Sequence, residues 1–305
     1  MVCIGSLNVD LVFQVDRMPV SGESVSGRGL ERHLGGKGLN QALAAARAGS
    51  DVALVGAVGD DGGTWMLSEL AAAGVDSSGV ARVEGPSGTA LIEVDATGAN
   101  RIVVIPGAND AVTADFAQEQ VRRLAPAAVA LAPLEVPPAA ILSAMRAAKA
   151  AGMTTILNPA PVPAEGIPDG LLEICDIVIP NEHEAASITG IAVHDIDSAI
   201  AAGRALMEAG AGSAIVTLGA RGAAWVTPEA SGHVPTYIVK AIDTVAAGDA
   251  FCGNLAAALA DGVDWAHALQ RACAGGALAT TVAGASPSLP RLSEVNALIA
   301  TGEVT

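Results

Sequence analysis

Asp243-Thr244-Val245-Ala246-Ala247-Gly248-Asp249-Ala250-Phe251 is a turn of small residues running into an apolar helix. Such a turn exposes backbone N–H groups at a helix start, where the helix has no carbonyls to pair them and its dipole is positive. Anions bind at termini of this kind. Asp249 falls in the first turn, so a carboxylate stands beside a candidate anion hole at Ala246, Ala247 and Gly248. That pairing suits phosphoryl transfer to an alcohol, with the N–H groups holding phosphate charge and the carboxylate taking the hydroxyl proton. The same residues also fit an ordinary acidic residue favouring a helix N-terminus. At a helix start the Asp249 pKa is expected to lie low, leaving the group ionised at neutral pH.

Outward from this stretch, strand and helix patterns alternate. Residues 128–131, 154–157, 177–179 and 214–216 are short apolar strand patterns, and 116–124, 139–150 and 196–209 are helical ones between them. Nearer the start, 2–4 runs into 7–15, followed by a buried strand pattern at 52–58 and a helix at 64–73. Alternation of this kind predicts an α/β body, a parallel sheet covered on both faces. Ligands of such sheets sit beyond the C-terminal strand ends. Residues 5–10, Leu134-Glu135, Asn158-Pro159, 181–184 and 217–222 all fall there, which predicts one cleft. No repeat or linker divides residues 1–305, so a single domain is expected.

Two blocks depart from the alternation. Residues 16–34 are rich in Gly, Ser and charge, and 87–106 hold two strand patterns around the turn at 95–100, a hairpin signature. Both are expected to be β excursions from the body.

Other segments carry polar chemistry. His33-Leu34-Gly35-Gly36-Lys37-Gly38-Leu39-Asn40-Gln41 precedes an Ala-rich helix stopped by Gly49. Its glycines allow close backbone approach to a ligand, and Lys37 and Asn40 can hydrogen-bond polar groups. It is not a Walker A loop, since no Ser or Thr follows the Lys; a plain Gly-rich turn fits equally. Asn8 and Asp10 offer an amide and a carboxylate that suit vicinal hydroxyls, or a capped turn. Asn181 and Glu184 are three apart and face one way at a helix start. Thr217-Leu218-Gly219-Ala220-Arg221-Gly222 gives a backbone-accessible turn with a cation that offsets phosphate charge, or a generic strand connection.

Composition bounds the reading. A net charge of −16 disfavours nucleic-acid backbone binding, so an anionic ligand needs local N–H groups, metal or a few basic residues. Only 2% of residues are aromatic, so stacking partners for a nucleobase substrate are scarce. Cys3, Cys175, Cys252 and Cys273 are scattered through apolar runs and are expected as buried reduced thiols. No segment resembles a membrane span and the first residues resemble a strand rather than a signal peptide, so a cytoplasmic location is expected.

Taken in order, Gly5-Ser6-Leu7-Asn8-Val9-Asp10, Gly-Gly-Lys-Gly-x-Asn-Gln at 35–41 and Asp-Thr-x-Ala-Ala-Gly-Asp at 243–249 resemble the ribokinase-like (PfkB) carbohydrate kinases. The resemblance covers nearly the whole chain. It implies a three-layer α/β/α sandwich with a mostly parallel central sheet, and a small β-sheet lid from about 11–34 and 88–106. It implies an ATP-dependent sugar kinase acting on the primary hydroxyl of D-ribose to give D-ribose 5-phosphate. Asn8, Asp10, Gly36, Lys37, Gly38, Asn40 and Glu135 would bind the sugar, with Asp249 as general base and Ala246, Ala247 and Gly248 as anion hole. Asn181, Glu184, Thr217, Leu218, Gly219, Ala220, Arg221, Gly222 and Gly248 would hold ATP and Mg²⁺. Asp243, Val245, Ala279, Val282, Gly284 and Ser288 would surround K⁺. A homodimer through the lid is a further implication. Leu39 stands where the first signature usually has a small residue, and Ala250 where a Thr is common beside the base. Kinases of fructose or a nucleoside, and a non-catalytic sugar-binding protein, remain alternatives.

Overall fold

The structure is a computed structural model that describes residues 1–97 and 100–305. Its strands are β1 (Val2–Ile4), β2 (Asn8–Val15), β3 (Gly27–Gly35), β4 (Val52–Val58), β5 (Val75–Arg82), β6 (Gly88–Val94) and β7 (Asn100–Ile105). They continue with β8 (Val129–Pro133), β9 (Thr154–Asn158), β10 (Ile177–Val178), β11 (Ala214–Thr217), β12 (Ala223–Val226) and β13 (Ser231–Val234). The helices are α1 (Lys37–Arg47), α2 (Gly63–Ala72), α3 (Ala114–Arg123), α4 (Pro138–Ala150), α5 (Leu171–Ile174) and α6 (Glu182–Thr189). After them come α7 (Ile196–Glu208), α8 (Ala247–Ala260), α9 (Trp265–Ala279), α10 (Ala285–Ser288) and α11 (Leu292–Thr301).

Among the described residues these strands form two sheets. The larger runs β13-β12-β11-β10-β9-β8-β1-β4-β5; it is parallel from β11 to β5, and β12 and β13 add antiparallel at one edge. Its side chains alternate between two cores, as a strand buried on both faces requires. Cys3, Leu54, Leu131, Ile156 and Ile177 join the apolar faces of α1, α8 and α9, whereas Val2, Ile4, Val55, Ala130, Leu157 and Val178 join those of α3 and α4. Helices on both faces give the expected three layers. With few aromatics, Ala, Val, Leu and Ile fill these cores, and α8 lies close enough to α1 that a Cβ at Gly253 would meet Ala44 at 2.5 Å.

The smaller sheet has the order β3-β2-β6-β7. It starts at Asn8, so the two polar residues Asn8 and Asp10 belong to its first strand rather than to the loop before it. The hairpin expected across 87–106 is β6 and β7, paired antiparallel; of its turn, Gly98 and Ala99 lie outside the described residues. Three strands of the larger sheet escaped the sequence pattern: β5, whose stretch Val-Asp-Ser-Ser-Gly-Val-Ala-Arg lacks alternation, and the edge pair β12 and β13. All four cysteines are buried and unpaired. No described helix is long and apolar enough to cross a membrane.

Candidate active site

The C-terminal ends of β1, β8, β9, β10 and β11 open onto one cleft. After β1 the chain passes into the small sheet and returns at α1, whose start is pressed against the end of β1. A Cβ at Gly38 would sit 2.4 Å from the Gly5 carbonyl carbon, and Gly36 has φ +87°, so glycine is required at both places. This contact brings the first two motifs together.

Glu135, just past β8, ties them further. Its Oε2 accepts from Ser6 Oγ at 2.6 Å and from the Lys37 backbone N–H at 2.9 Å. Asn8 accepts at Oδ1 from Asn109 Nδ2 at 2.8 Å, which leaves its own amide N–H groups to donate. The Asp10 carboxylate occupies the space that a side chain at Gly35 would take: an added Cβ there would lie 2.0 Å from Oδ1. Burial, reinforced by the charges of Glu135 and Asp249 and offset by His33, pushes Asp10 up to about 7.

Asp249 lies in the first turn of α8 and is buried. Its Oδ2 accepts from Asn40 Nδ2 at 3.1 Å and its Oδ1 from Gln41 Nε2 at 3.0 Å. The low pKa expected from a helix start does not hold. Burial raises it, and the Lys37 charge with the two amide donors offsets that only in part. Burial pulls Lys37 the other way, but Asp249, Glu135 and Glu184 outweigh it and hold the ammonium above its ordinary value. The site is therefore a cation among several carboxylates, a strongly polar basin.

The turn before α8 is shaped for an anion. Ala246 has φ +60°, a left-handed conformation that a non-glycine residue adopts at a cost of roughly 1–2 kcal/mol. The Ala247 N–H points back to the Thr244 carbonyl at 3.3 Å. The N–H groups of Gly248 and Asp249 follow in the first helical turn, which has no carbonyls of its own to pair them. A Cβ at Gly248 would meet nothing within 4 Å, so open space lies in front of this turn.

Two cavities meet there. One of about 200 Å³ is lined by Lys37, Asn158, Asn181, Glu184, Asp249 and Cys252 among others. The other, of about 370 Å³, is apolar and is walled by Tyr237, Ile238, Val239, Phe251, Cys273 and Ala277 among others. Both include Thr217, Thr244 and Gly248, so they form one continuous groove. The apolar half draws on residues 236–239, Ala241, Gly276, Ala277, Thr280 and Thr305, which sequence reasoning missed because no motif marks them.

Asn181 and Glu184 form a capping box at the start of α6: Asn181 Oδ1 accepts from the Glu184 N–H at 2.9 Å, and Glu184 Oε2 from the Asn181 N–H at 2.8 Å. His183 is exposed. Of the turn after β11, Thr217, Gly219, Ala220 and Gly222 line the apolar cavity, whereas Leu218 is buried. Arg221 departs from its expected role. Its guanidinium is engaged by Glu182 and by the His194 carbonyl, so it is not a free cation for phosphate.

Of the segments expected around a monovalent cation, those at Asp243 and Gly284 are hydrogen-bonded to each other. Asp243 accepts at Oδ1 from the Val245 N–H at 3.0 Å and at Oδ2 from the Gly284 N–H at 2.9 Å. The Thr280 carbonyl accepts from the N–H groups of Ile242 and Asp243. Ser288 turns away to donate to the Ala285 carbonyl at 2.7 Å, while Ala279 is buried and Val282 exposed.

The arrangement places a buried carboxylate, a cation and free helix N–H groups where a polar basin meets an apolar slot, as transfer of a phosphoryl group between two bound molecules requires. Comparison with known proteins agrees. A profile described as pfkB family carbohydrate kinase matches residues 1–292. Ribokinase of Staphylococcus aureus is 37% identical over 97% of this chain and 98% of its own length. The bifunctional ribokinase/ribose-5-phosphate isomerase A of Fructilactobacillus sanfranciscensis is 38% identical over 95% of this chain, which spans 54% of that longer protein. Deoxyribokinase of Salmonella typhi is 34% identical over 98% of each chain. Among solved structures, ribokinase of Thermotoga maritima superposes with a TM-score of 0.90 at 33% identity, covering 98% of this chain and 99% of its own. Ribokinase of Arabidopsis thaliana, complexed with ribose and ATP, superposes with a TM-score of 0.88 at 29% identity over 98% of each chain. The chain belongs to the pfkB family of carbohydrate kinases.

Proposed function

We propose that this carbohydrate kinase transfers the γ-phosphoryl group of ATP to the primary hydroxyl of D-ribose, giving D-ribose 5-phosphate. The observation that carries the proposal is the buried Asp249 carboxylate in the polar basin, directly after Gly248, where the basin meets the apolar slot. Asp249 takes the proton of the attacking hydroxyl. N–H groups around Gly248 hold the charge of the transferring group. Asn8, Asp10, Gly36, Lys37, Gly38, Asn40 and Glu135 present the amides, carboxylates and backbone groups that orient a polyol, while the apolar slot takes the nucleobase. Thr217, Gly219, Ala220 and Gly222 let the phosphate chain pass close to backbone.

Asn181 and Glu184 suit Mg²⁺ held largely through water. Each keeps oxygen lone pairs beyond its capping bond and both line the polar cavity, and Mg²⁺ retains several waters in sites of this kind. When bound, the ion neutralises phosphate charge. The Asp243–Gly284 tie fits K⁺ as well, since it already draws the anion-hole turn against the segment before α10, and a cation among their oxygens would stiffen that turn. We also propose a homodimer through the small sheet, on which Leu30, Ile102, Val103 and Val104 are each more than half exposed.

Measuring ADP production with Mg-ATP and K⁺ against D-ribose, 2-deoxyribose, D-fructose and adenosine in parallel tests the substrate. The expected kcat/KM for D-ribose exceeds the others by about tenfold or more, since a site built for a hydroxyl rejects the analogue lacking it. Preference for 2-deoxyribose or fructose would keep the chemistry and move the acceptor. Sugar binding without ADP production would favour a binding protein.

A further inference from the structure

Gln41 is fully buried and lines neither cavity, yet it is hydrogen-bonded to Asp249. The direction of the bonds around it can be worked out from one end. The Ile179 carbonyl, just past β10, can only accept. The Asn158 atom 2.8 Å from it is therefore the amide nitrogen Nδ2. Asn158 Oδ1 then faces Gln41 and must accept, which puts the Gln41 nitrogen there, at 2.9 Å. The second N–H of the same nitrogen meets Asp249 Oδ1 at 3.0 Å. Turning the Gln41 amide over would set its oxygen against two acceptors. The observed orientation leaves Gln41 Oε1 buried without a partner, so the fold keeps the two donor bonds even though they orphan an acceptor.

We propose that Gln41 and Asn158 are positioning residues that carry hydrogen-bond direction from the β10 carbonyl to the Asp249 carboxylate, a role that rests on Asp249 being the base. The relay runs from the end of β10 through β9 to α1 and α8, so the sheet and the helix layer on one of its faces together fix one side chain. With Asn40 Nδ2 on Oδ2, each Asp249 oxygen takes one amide N–H, and rotation of the carboxylate is pinned at two points. Each oxygen keeps a lone pair for the hydroxyl proton. Around the carboxylate stand the Lys37 ammonium, the carboxylates of Asp10, Glu135 and Glu184, and the thiols of Cys3 and Cys252. Among them Gln41 and Asn40 are the neutral donors that meet Asp249.

Three single variants and one double variant test this. Gln41→Met keeps the length of the side chain and removes both donor bonds. Its kcat should fall about 10- to 100-fold with the KM values for sugar and ATP within about threefold, the pattern of a misplaced catalytic group. Asn158→Ala removes the anchor and should lower kcat in the same sense but less. The double variant should be no slower than Gln41→Met, because Asn158 acts through Gln41. Gln41→Glu offers a donor only when protonated, so the ratio of its kcat to the parent's should drop as pH rises through neutrality. Melting temperatures identify any variant that fails to fold, in which case the others carry the test. A Gln41→Met kcat within about twofold of the parent overturns the relay, as do losses that multiply in the double variant or a KM that rises as much as kcat falls. Asp249→Asn separates the two claims. Normal turnover there overturns the base and the relay together, whereas an inactive Asp249→Asn beside a fully active Gln41→Met overturns the relay alone.

Discussion

The two halves of the groove are built on opposite principles. The polar basin is lined by Lys37, Glu184 and Asp249, with Asp10, Asn40 and Glu135 around it; the six come from five different segments, and most are paired to backbone or amide groups. The apolar slot is almost twice as large, about 370 against about 200 Å³, and is walled mainly by small residues, Ala, Gly and Thr, together with Tyr237, Ile238, Val239, Phe251 and Cys273 and no charged side chain. Charge can be placed only where burial is offset by a partner, so each basin residue is specified one by one. A slot for a flat ring needs only shape, which many small residues supply together. The two halves meet at Gly248, next to Asp249, where the proposed phosphoryl transfer is placed.

The sharpest break of this contrast is at Asp249. Asp249→Asn should lower kcat by about a thousandfold or more while sugar affinity stays within a few fold, because the proton acceptor is lost and the shape is kept. Stopped-flow or coupled assays together with calorimetry would show it. Next in size, Gly35→Ala should raise the sugar KM by roughly 100-fold, since its Cβ would lie 2.0 Å from an Asp10 oxygen and must displace that carboxylate. The ATP KM should not move. The converse is Ala277→Phe, which fills the slot: the ATP KM should rise by about tenfold and the sugar KM should stay put. If either substitution moves both KM values equally, the two halves are not separable.

The smallest effect is on stability. Asp10 sits at about 7 in the folded protein against an ordinary 3.8. The folded state then holds this proton more tightly than the unfolded one. The stability it lends is full below about pH 4 and is lost as pH rises through about 7, a loss of a few kcal/mol at most. Asp10→Asn without sugar should therefore melt higher than the parent above pH 7, and the gap should close in acid. Thermal melts from pH 4 to 8 would contradict this if the gap were constant.

The same contrast explains what the sequence made legible. The small-residue turn at 243–249 and the Gly-Gly-Lys-Gly segment were visible because close backbone approach demands small residues in a row. Alternating apolar runs gave the parallel sheet, since a strand buried on both faces has to be apolar throughout. The slot was legible only along one wall, at Thr217, Gly219, Ala220, Gly222 and Gly248: Tyr237, Phe251 and Ala277 lie far apart in sequence and are individually ordinary core residues. The raised pKa of Asp249 was hidden for a related reason. Helix position can be read locally, but burial depends on Asn40, Gln41 and Lys37, some 210 residues away in sequence. Arg221 misled because a cation near a glycine turn suggests phosphate, while its partner Glu182 lies on another element.

The most direct measurement is phosphorus NMR of the product formed from Mg-ATP and D-ribose in the presence of K⁺. The expected spectrum shows ADP and one phosphate monoester coupled to the two C5 protons of ribose. Inorganic phosphate without a sugar ester, or an ester at the anomeric carbon, would contradict transfer to the primary hydroxyl at Asp249.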